Sequence, residues 1–197
     1  VSQLGTVSAN GGLAAVQLAG DGATLTVNGS GNQITASNGA DGVRIDSTGA
    51  SSFNASNTTI DVTGTGAGIN NNASSSDINL NNVTINSGDG PAIRTAVTFT
   101  AEGSGNTLNV SGSGSGFAFM QADGSQTSGN LTIGTGYTIN GNGADSTGIL
   151  ARTTGNVNSG SAITMGTTAG AAIEATNATS LTNAGVITTS SDTGSTI

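Results

Sequence analysis

The stretch from Gly66 to Ile93, GAGINNNASSSDINLNNVTINSGDGPAI, begins and ends with one frame, a Gly followed three residues later by Ile, and its two isoleucines are 24 residues apart. An apolar residue in a similar frame returns along the whole chain. These positions are Val16, Ile45, Ile69, Ile93, Phe119, Ile149, Ile173 and Ile197. Four of the steps between them are 24 residues long, and the others run from 26 to 30. A fixed period of this length is typical of a stacked repeat.

Two more apolar pairs lie between successive recurrences, each flanked by turn-forming residues. In the quoted stretch they are Ile78/Leu80 and Val83/Ile85, and the next coil continues with Val97/Phe99. Such alternation predicts short half-buried strands, and no segment has helical periodicity. Coils of three such strands would stack into three parallel sheets around one apolar interior. We therefore predict an all-β fold, a parallel β-helix solenoid of about seven coils of about 24 residues, with three short strands per coil.

Turn-forming residues separate the predicted strands of each coil, and the coils differ in length. Gly, Asn, Asp and Ser permit or stabilise sharp corners, so the segments 28–32, 64–66 and 112–116 are predicted to be corners. The longest step, from Phe119 to Ile149, contains residues 121–130, for which we predict a protruding loop. No boundary divides the chain, so we expect one domain over residues 1–197.

The charge balance limits the possible partners. The chain has three Arg, no Lys and eleven acidic residues, for a net charge of −8. Nucleic acids and anionic membrane surfaces attract clustered Lys or Arg, so we expect neither as a partner. No apolar run is long enough to span a membrane, and the N-terminal residues lack the pattern of a signal peptide.

The chain contains neither Cys nor His, which removes any cysteine nucleophile, the commonest general base and the commonest metal ligand. Asp41, Asp89 and Asp145 each precede a recurring apolar position by four residues, but in alternate coils. Neighbours in such a column would be about 10 Å apart, too far to share one metal ion. We expect turn-forming roles for them, with no catalytic residue, cofactor or metal.

A polysaccharide-processing enzyme is the alternative from another functional class. It requires carboxylates that converge on one groove beside a basic residue. The candidates Asp46, Asp61, Asp77 and Arg94 do not line up in the predicted register. Threonine pairs at 24–26 and 98–100 are similar to those of ice-binding solenoids but do not recur on consecutive coils, so a flat threonine array is not expected.

The position after each recurring apolar residue should point outward, because side chains alternate along a strand. In this position Met120 and Leu150 would be neighbours, with Arg94 below and Glu174 above. Together with Asp123 in the predicted loop, these residues form a hypothetical contact patch for a partner or a second copy. Scattered surface apolar residues that need no partner are the alternative.

The segment Ser180-Leu181-Thr182-Asn183-Ala184-Gly185-Val186-Ile187, followed by Gly194-Ser195-Thr196-Ile197, resembles the parallel β-helix passenger domains of bacterial autotransporter adhesins of the pertactin and AIDA type. Thr58-Thr59-Ile60 followed by Gly66-Ala67-Gly68-Ile69 echoes it. The resemblance covers essentially the whole chain but consists of period and composition.

The resemblance implies a right-handed solenoid that is exported across the outer membrane to the bacterial cell surface. It further implies adhesion, self-association or biofilm formation, with a second copy, a host surface protein or a glycan as partner. The family's C-terminal barrel and signal peptide are not in the sequence, so we expect a fragment of a longer passenger that does not itself insert into a membrane. A passive spacer or surface scaffold is the remaining alternative.

Overall fold

A computed structural model describes residues 5–190, which contain 22 β-strands and no helix. The first eleven strands are β1 (Thr6–Asn10), β2 (Ala14–Leu18), β3 (Thr24–Val27), β4 (Asn32–Ser37), β5 (Asp41–Ile45), β6 (Ala50–Ser56), β7 (Thr58–Val62), β8 (Ile69–Asn71), β9 (Ser75–Asn81), β10 (Thr84–Ser87) and β11 (Ile93–Thr95). The others are β12 (Phe99–Ser104), β13 (Asn106–Val110), β14 (Ser115–Phe119), β15 (Leu131–Ile133), β16 (Tyr137–Gly141), β17 (Thr147–Arg152), β18 (Asn156–Ser159), β19 (Ala162–Met165), β20 (Ile173–Thr176), β21 (Ser180–Asn183) and β22 (Ile187–Thr189).

Every third strand joins the same sheet, which confirms the predicted solenoid of about seven coils. Sheet A contains eight strands in the order β1-β4-β7-β10-β13-β16-β19-β22. Sheet B contains seven, β2-β5-β8-β11-β14-β17-β20, and sheet C contains seven, β3-β6-β9-β12-β15-β18-β21. Neighbouring strands are parallel in all three sheets, because each strand meets its equivalent from the coil before.

One apolar core runs along the interior of the three sheets. Each coil contributes small aliphatic side chains, such as the fully buried Ile60, Ile85 and Leu108 of sheet A. The larger rings Phe117 and Tyr137, both in the longest coil, pack edge to face with centroids 5.6 Å apart. Alternate residues along each strand face this core and therefore leave the intervening polar side chains on three outer faces.

Asparagine forms several of the corners between sheets. Among residues 5–190, the non-glycine residues with positive φ are Asn38, Asn57, Asn82, Asp145 and Asn177. Asn57 and Asn82 occupy equivalent corners of neighbouring coils, and Asn82 Nδ2 donates to Asn57 Oδ1 at 2.7 Å. Asn tolerates the left-handed conformation better than most residues, and this stack also satisfies its amide.

The register differs from the predicted one at two coils. The row of paired inward residues is Val16, Val43, Ile69, Ile93, Phe117, Ile149 and Ile173. Ile45 and Phe119, which the sequence placed in this row, lie two residues further along the same strands. Both alternatives point inward, so the alternation could not distinguish them. The predicted recurrence at Ile197 lies outside the described residues.

The strand predicted at Val97/Phe99 is displaced by two residues in the same way, because β12 begins at Phe99 and its inward residues are Phe99 and Ala101.

The predicted loop is present. No regular strand lies between Phe119 and Leu131 in the described chain, and the coil from Phe117 to Ile149 is 32 residues long.

Candidate functional site

The hypothesised contact residues Met120 and Leu150 line one shallow hollow on the outer face of sheet B. The ladder pairs Leu150 with Ala118 rather than with Met120. Met120 lies two residues after Ala118, just beyond the end of β14, and its side chain also lines the hollow. Both side chains are half-buried. The hollow encloses about 140 Å³ and is lined by Asp89, Pro91, Ser113, Gly114, Ser115, Ala118, Met120, Thr147 and Leu150.

The other three members of the hypothesised patch do not line this hollow. Arg94 and Glu174 share its outward row, since Arg94 pairs with Ala118 and Glu174 pairs with Leu150. Asp123 lies in the exposed loop, where its carboxylate accepts a hydrogen bond from Ser125 N at 2.9 Å. Hydrogen bonds from Ser125 lower the pKa of Asp123, so it stays ionised at neutral pH as part of a turn.

The loop is held by arginines from the coils on both sides of it. Arg94 Nη1 donates to the carbonyl oxygen of Ala122 at 3.3 Å, and Arg152 Nη1 donates to that of Gly124 at 2.9 Å. Within the loop, Gln121 N donates to Ser125 O at 2.9 Å. These bonds give the loop a fixed conformation on sheet B.

The third arginine, Arg44, belongs to a closed ring of side chains on the same face, which also includes Arg94. We call it the Arg–Asp ring. Its members are Asp41, Arg44, Asp46, Asn70, Asn72 and Arg94. Arg44 bridges the two aspartates, with Nε 2.7 Å from Asp46 Oδ2 and Nη1 3.5 Å from Asp41 Oδ2. Asn70 and Asn72 connect the same aspartates to the second arginine.

The two amides act as relays in the Arg–Asp ring. Asn70 Nδ2 donates to Asp41 Oδ2 at 2.6 Å, and Asn72 Nδ2 donates to Asp46 Oδ1 at 3.0 Å. Arg94 Nη2 donates to both amide oxygens, at 2.8 Å to Asn70 and 3.2 Å to Asn72. The ring has no net charge, and its donors and acceptors are largely used by one another.

Burial and pairing shift the pKa values in the ring in opposite directions. Burial lowers the pKa of Arg94, an effect that Asp41 and Asp46 partly offset. The hydrogen bond to Asp46 raises the pKa of Arg44. Burial alone would raise the pKa of Asp46, but hydrogen bonds from Arg44, Asn72 and Gln17 outweigh it, so the pKa lies below its ordinary value.

The carboxylates considered as catalytic candidates lie on different faces. Asp46 directly follows β5 of sheet B and Arg94 lies in β11 of the same sheet, whereas Asp61 is on sheet A and Asp77 is on sheet C. Asp41 joins the Arg–Asp ring, whereas Asp89 Oδ1 accepts from Ser113 N at 3.1 Å, and Asp145 has positive φ at a corner. Within residues 5–190, no group of three or more acidic side chains is positioned to hold a metal ion.

Sheet A carries a regular outer surface that the sequence did not lead us to expect. Four consecutive coils contribute a Thr and, two residues later, an Asn or Asp to two parallel columns. We call this surface the Thr–Asn face. It consists of Thr59, Asp61, Thr84, Asn86, Thr107, Asn109, Thr138 and Asn140.

The amide column of the Thr–Asn face is joined by side-chain hydrogen bonds. Asn86 Nδ2 donates to Asp61 Oδ1 at 2.5 Å. Asn109 donates to Asn86 and Asn140 to Asn109, each at 2.8 Å. Each Asn therefore has one amide hydrogen that the ladder does not use.

The threonine column contrasts with the amide column. Among the described residues, the hydroxyls of its four threonines make no hydrogen bond to protein. A signal for this face exists in the sequence as the recurring triplets Thr84-Ile85-Asn86, Thr107-Leu108-Asn109 and Thr138-Ile139-Asn140. The expectation of no flat threonine array concerned the pairs at 24–26 and 98–100, and Thr24 and Thr26 do pair with Ser52 and Asn54 in the next coil. It did not consider a single threonine column.

Comparisons with protein-family models, with curated proteins and with solved structures give no match to this chain. No helix within the described residues is long and apolar enough to cross a membrane.

Proposed function

We propose that this chain is a segment of a bacterial cell-surface adhesin and that it binds a second copy through the Thr–Asn face. The observation that carries the proposal is the regular, almost uncharged arrangement of two hydrogen-bonding columns on four consecutive coils. The resemblance to autotransporter passengers supports the surface location, where self-association would lead to clumping of cells or biofilm.

The Thr–Asn face is suited to a matching face. Asn and Thr each offer a donor and an acceptor, so a surface made of them is complementary to its own copy. Stacked strands at a spacing of about 4.8 Å with Asn ladders are known to mate as tightly interdigitated sheets. Asp61 is the only charged member, which keeps repulsion between two copies small.

Affinity would come from repetition. A single hydrogen bond of this kind contributes about 1 kcal/mol, too little to hold two molecules together. Several bonds on a rigid rod form together once the first is made, so their contributions accumulate as avidity. The continuous core and the ladders keep the columns in register, which lowers the ordering cost of association.

The first test changes the face without changing net charge. In the double variant Thr84→Lys with Thr107→Glu, two long side chains would sit on neighbouring strands and could pair with each other. No protein hydrogen bond of the wild type is lost, but close approach of a second sheet is blocked. We expect wild type to associate with increasing concentration in sedimentation velocity experiments and the variant to remain monomeric.

The matched control is Thr132→Lys with Asn158→Glu, which places the same pair on neighbouring strands of sheet C. It should associate as wild type does. Equal association of the face variant, or a wild type that is monomeric at all accessible concentrations, would contradict the proposal. Bacteria that display the protein should also settle faster than bacteria that display the face variant.

The hollow on sheet B is the competing contact surface. Met120→Ser with Leu150→Ser removes its apolar side chains while it leaves sheet A untouched. If this variant associates as wild type does while the face variant remains monomeric, the contact lies on sheet A. The reverse result would assign it to the hypothesised patch around Met120 and Leu150.

A further inference from the structure

Strand β12 changes its ladder partner halfway along its length. Its second half, Glu102–Ser104, pairs with Asn79–Asn81 of β9, whereas its first half, Phe99–Ala101, pairs with β15. Within residues 5–190, no ladder pair joins Phe99–Ala101 to the preceding residues 76–78 of β9. The sheet is therefore closed at one end of this strand pair and open at the other.

Gly103 allows β12 to approach β9 closely. A Cβ added at Gly103 would lie 1.8 Å from the carbonyl oxygen of Leu80, so only Gly permits this approach, and its φ of 120° also favours Gly. On the other side, Tyr137 Oη donates to the carbonyl oxygen of Glu102 at 3.0 Å. Burial raises the pKa of Tyr137, so the phenol keeps its proton and remains a donor. Gly103 therefore fixes the second half of β12 against β9, and the hydrogen bond from Tyr137 fixes Glu102, the first residue of that half.

A cleft of about 320 Å³ lies where β9 and β12 diverge. Ile78 and Phe99 form its floor and are 3% and 4% exposed, respectively. Its walls are polar, and the remaining lining residues are Ser76, Asp77, Asn79, Thr98, Thr100 and Glu102. The volume falls at the lower end of the range for small-molecule sites, enough for about one or two sugar rings.

Several polar groups of the cleft are not used by the protein. Ser76 Oγ is shielded from solvent and has no hydrogen-bond partner among the described residues. Three further side chains of the cleft make no hydrogen bond or ion pair within residues 5–190. They are Asp77, Thr100 and Glu102. All three residues are exposed, so their side chains are free to bind a ligand.

The chemistry of these groups selects a class of ligand. No basic side chain lines the cleft, so two carboxylates would repel an anionic ligand such as a uronate or a phosphate. An apolar ligand would cover the carboxylates without satisfying them, which is costly. Sugar hydroxyls can donate to the carboxylates and accept from the hydroxyl of Thr100. We propose that the cleft between β9 and β12 binds an uncharged saccharide, with Asp77 and Glu102 as the principal acceptors.

The test is a titration of the ¹⁵N-labelled chain, followed by backbone amide chemical shifts. Cellotetraose, maltotetraose and laminaritetraose serve as separate probes, because they are uncharged and differ only in linkage. At least one should shift the amides of Ile78 and Thr100 saturably, with a Kd on the order of 1 mM. Calcium chloride alone is the comparison for a cation held by the acidic pair.

The double variant Asp77→Ala with Glu102→Ala should weaken the saccharide's binding at least about tenfold, since charge-assisted hydrogen bonds are the stronger ones. Glu174→Ala, an exposed carboxylate on sheet B, is the control and should bind as wild type does. The inference is overturned if no probe shifts these amides, if the double variant binds equally well, or if only calcium shifts them. The cleft and the Thr–Asn face lie on different sheets, so either proposal can fail without the other.

Discussion

At the scale of single residues, the glycine of the recurring frame is required by close contact between coils. Gly90 has an ordinary φ, yet a Cβ there would lie 2.0 Å from the carbonyl oxygen of Gly66 in the coil before. Gly66 and Gly114 are equally confined, with added Cβ atoms 1.9 Å and 2.1 Å from backbone oxygens. Positive φ, the usual reason for a glycine at a corner, is found at Gly64 but not at these three.

Gly90→Ala should therefore destabilise the fold by about 2–3 kcal/mol, because the obstructing atom is backbone and cannot rotate away. Gly20→Ala is the matched control, since Gly20 also has an ordinary φ and an added Cβ there meets nothing within 4 Å. The control should change the free energy of unfolding by less than about 0.5 kcal/mol. Urea denaturation followed by circular dichroism measures both, and similar values would refute the steric explanation.

At the scale of elements, the Arg–Asp ring connects the outer faces of β5, β8 and β11. The ladder already holds these strands together, and the ring adds side-chain bonds between neighbouring coils. It also connects to the long loop, because Arg94 contacts Ala122 O. Two of the three arginines thus hold a loop whose length alone would have suggested mobility.

The lowered pKa of Asp46 predicts the acid sensitivity of this element. A carboxyl group with a lower pKa in the folded than in the unfolded state stabilises the fold above its unfolded value of about 4. That contribution declines as the pH falls from this value through the lower folded pKa, because the unfolded state then binds more protons. The free energy of unfolding of Asp46→Asn should fall less than that of wild type between about pH 5 and pH 2. Identical pH profiles would show that the ring does not contribute.

Register is also decided at this scale. The frame Gly116-Phe117-Ala118-Phe119 contains two inward positions, and the structure selects Phe117 for the common row. Ala118, rather than Met120, then faces outward between Arg94 and Leu150. Alternation predicts which face a residue occupies, but a shift of two residues preserves the face, so local pattern could not reveal this choice.

At the scale of the whole molecule, each coil gains its stability from the coils on either side. The inward side chains of the middle coils, such as Ile69 and Ile93, are fully buried between neighbours. In the described chain, the strands of the two outermost coils pair on one side only, and Leu25 and Ile187 remain half-buried. Repeat stacks of this kind have stabilities set by nearest-neighbour contacts.

Amide hydrogen exchange should therefore vary along the rod. We expect the slowest exchange in β7 to β14 and exchange at least about tenfold faster in β1 to β3 and β20 to β22, where local opening exposes less apolar surface. Exchange followed by mass spectrometry of peptic peptides provides the comparison. Uniform protection over all coils would mean that the chain opens only as one unit.

The sequence by itself determined the repeat, the three strands per coil, the parallel stacking and the long loop after Phe119. It could do so because alternation and turn chemistry are local, and a fixed period relates each coil to the next. Only the tertiary structure decided the register, the closed Arg–Asp ring, the two columns of the Thr–Asn face and the split between β9 and β12. These features join residues that lie a full coil apart, and their alignment depends on how each corner turns and how much chain each coil contains.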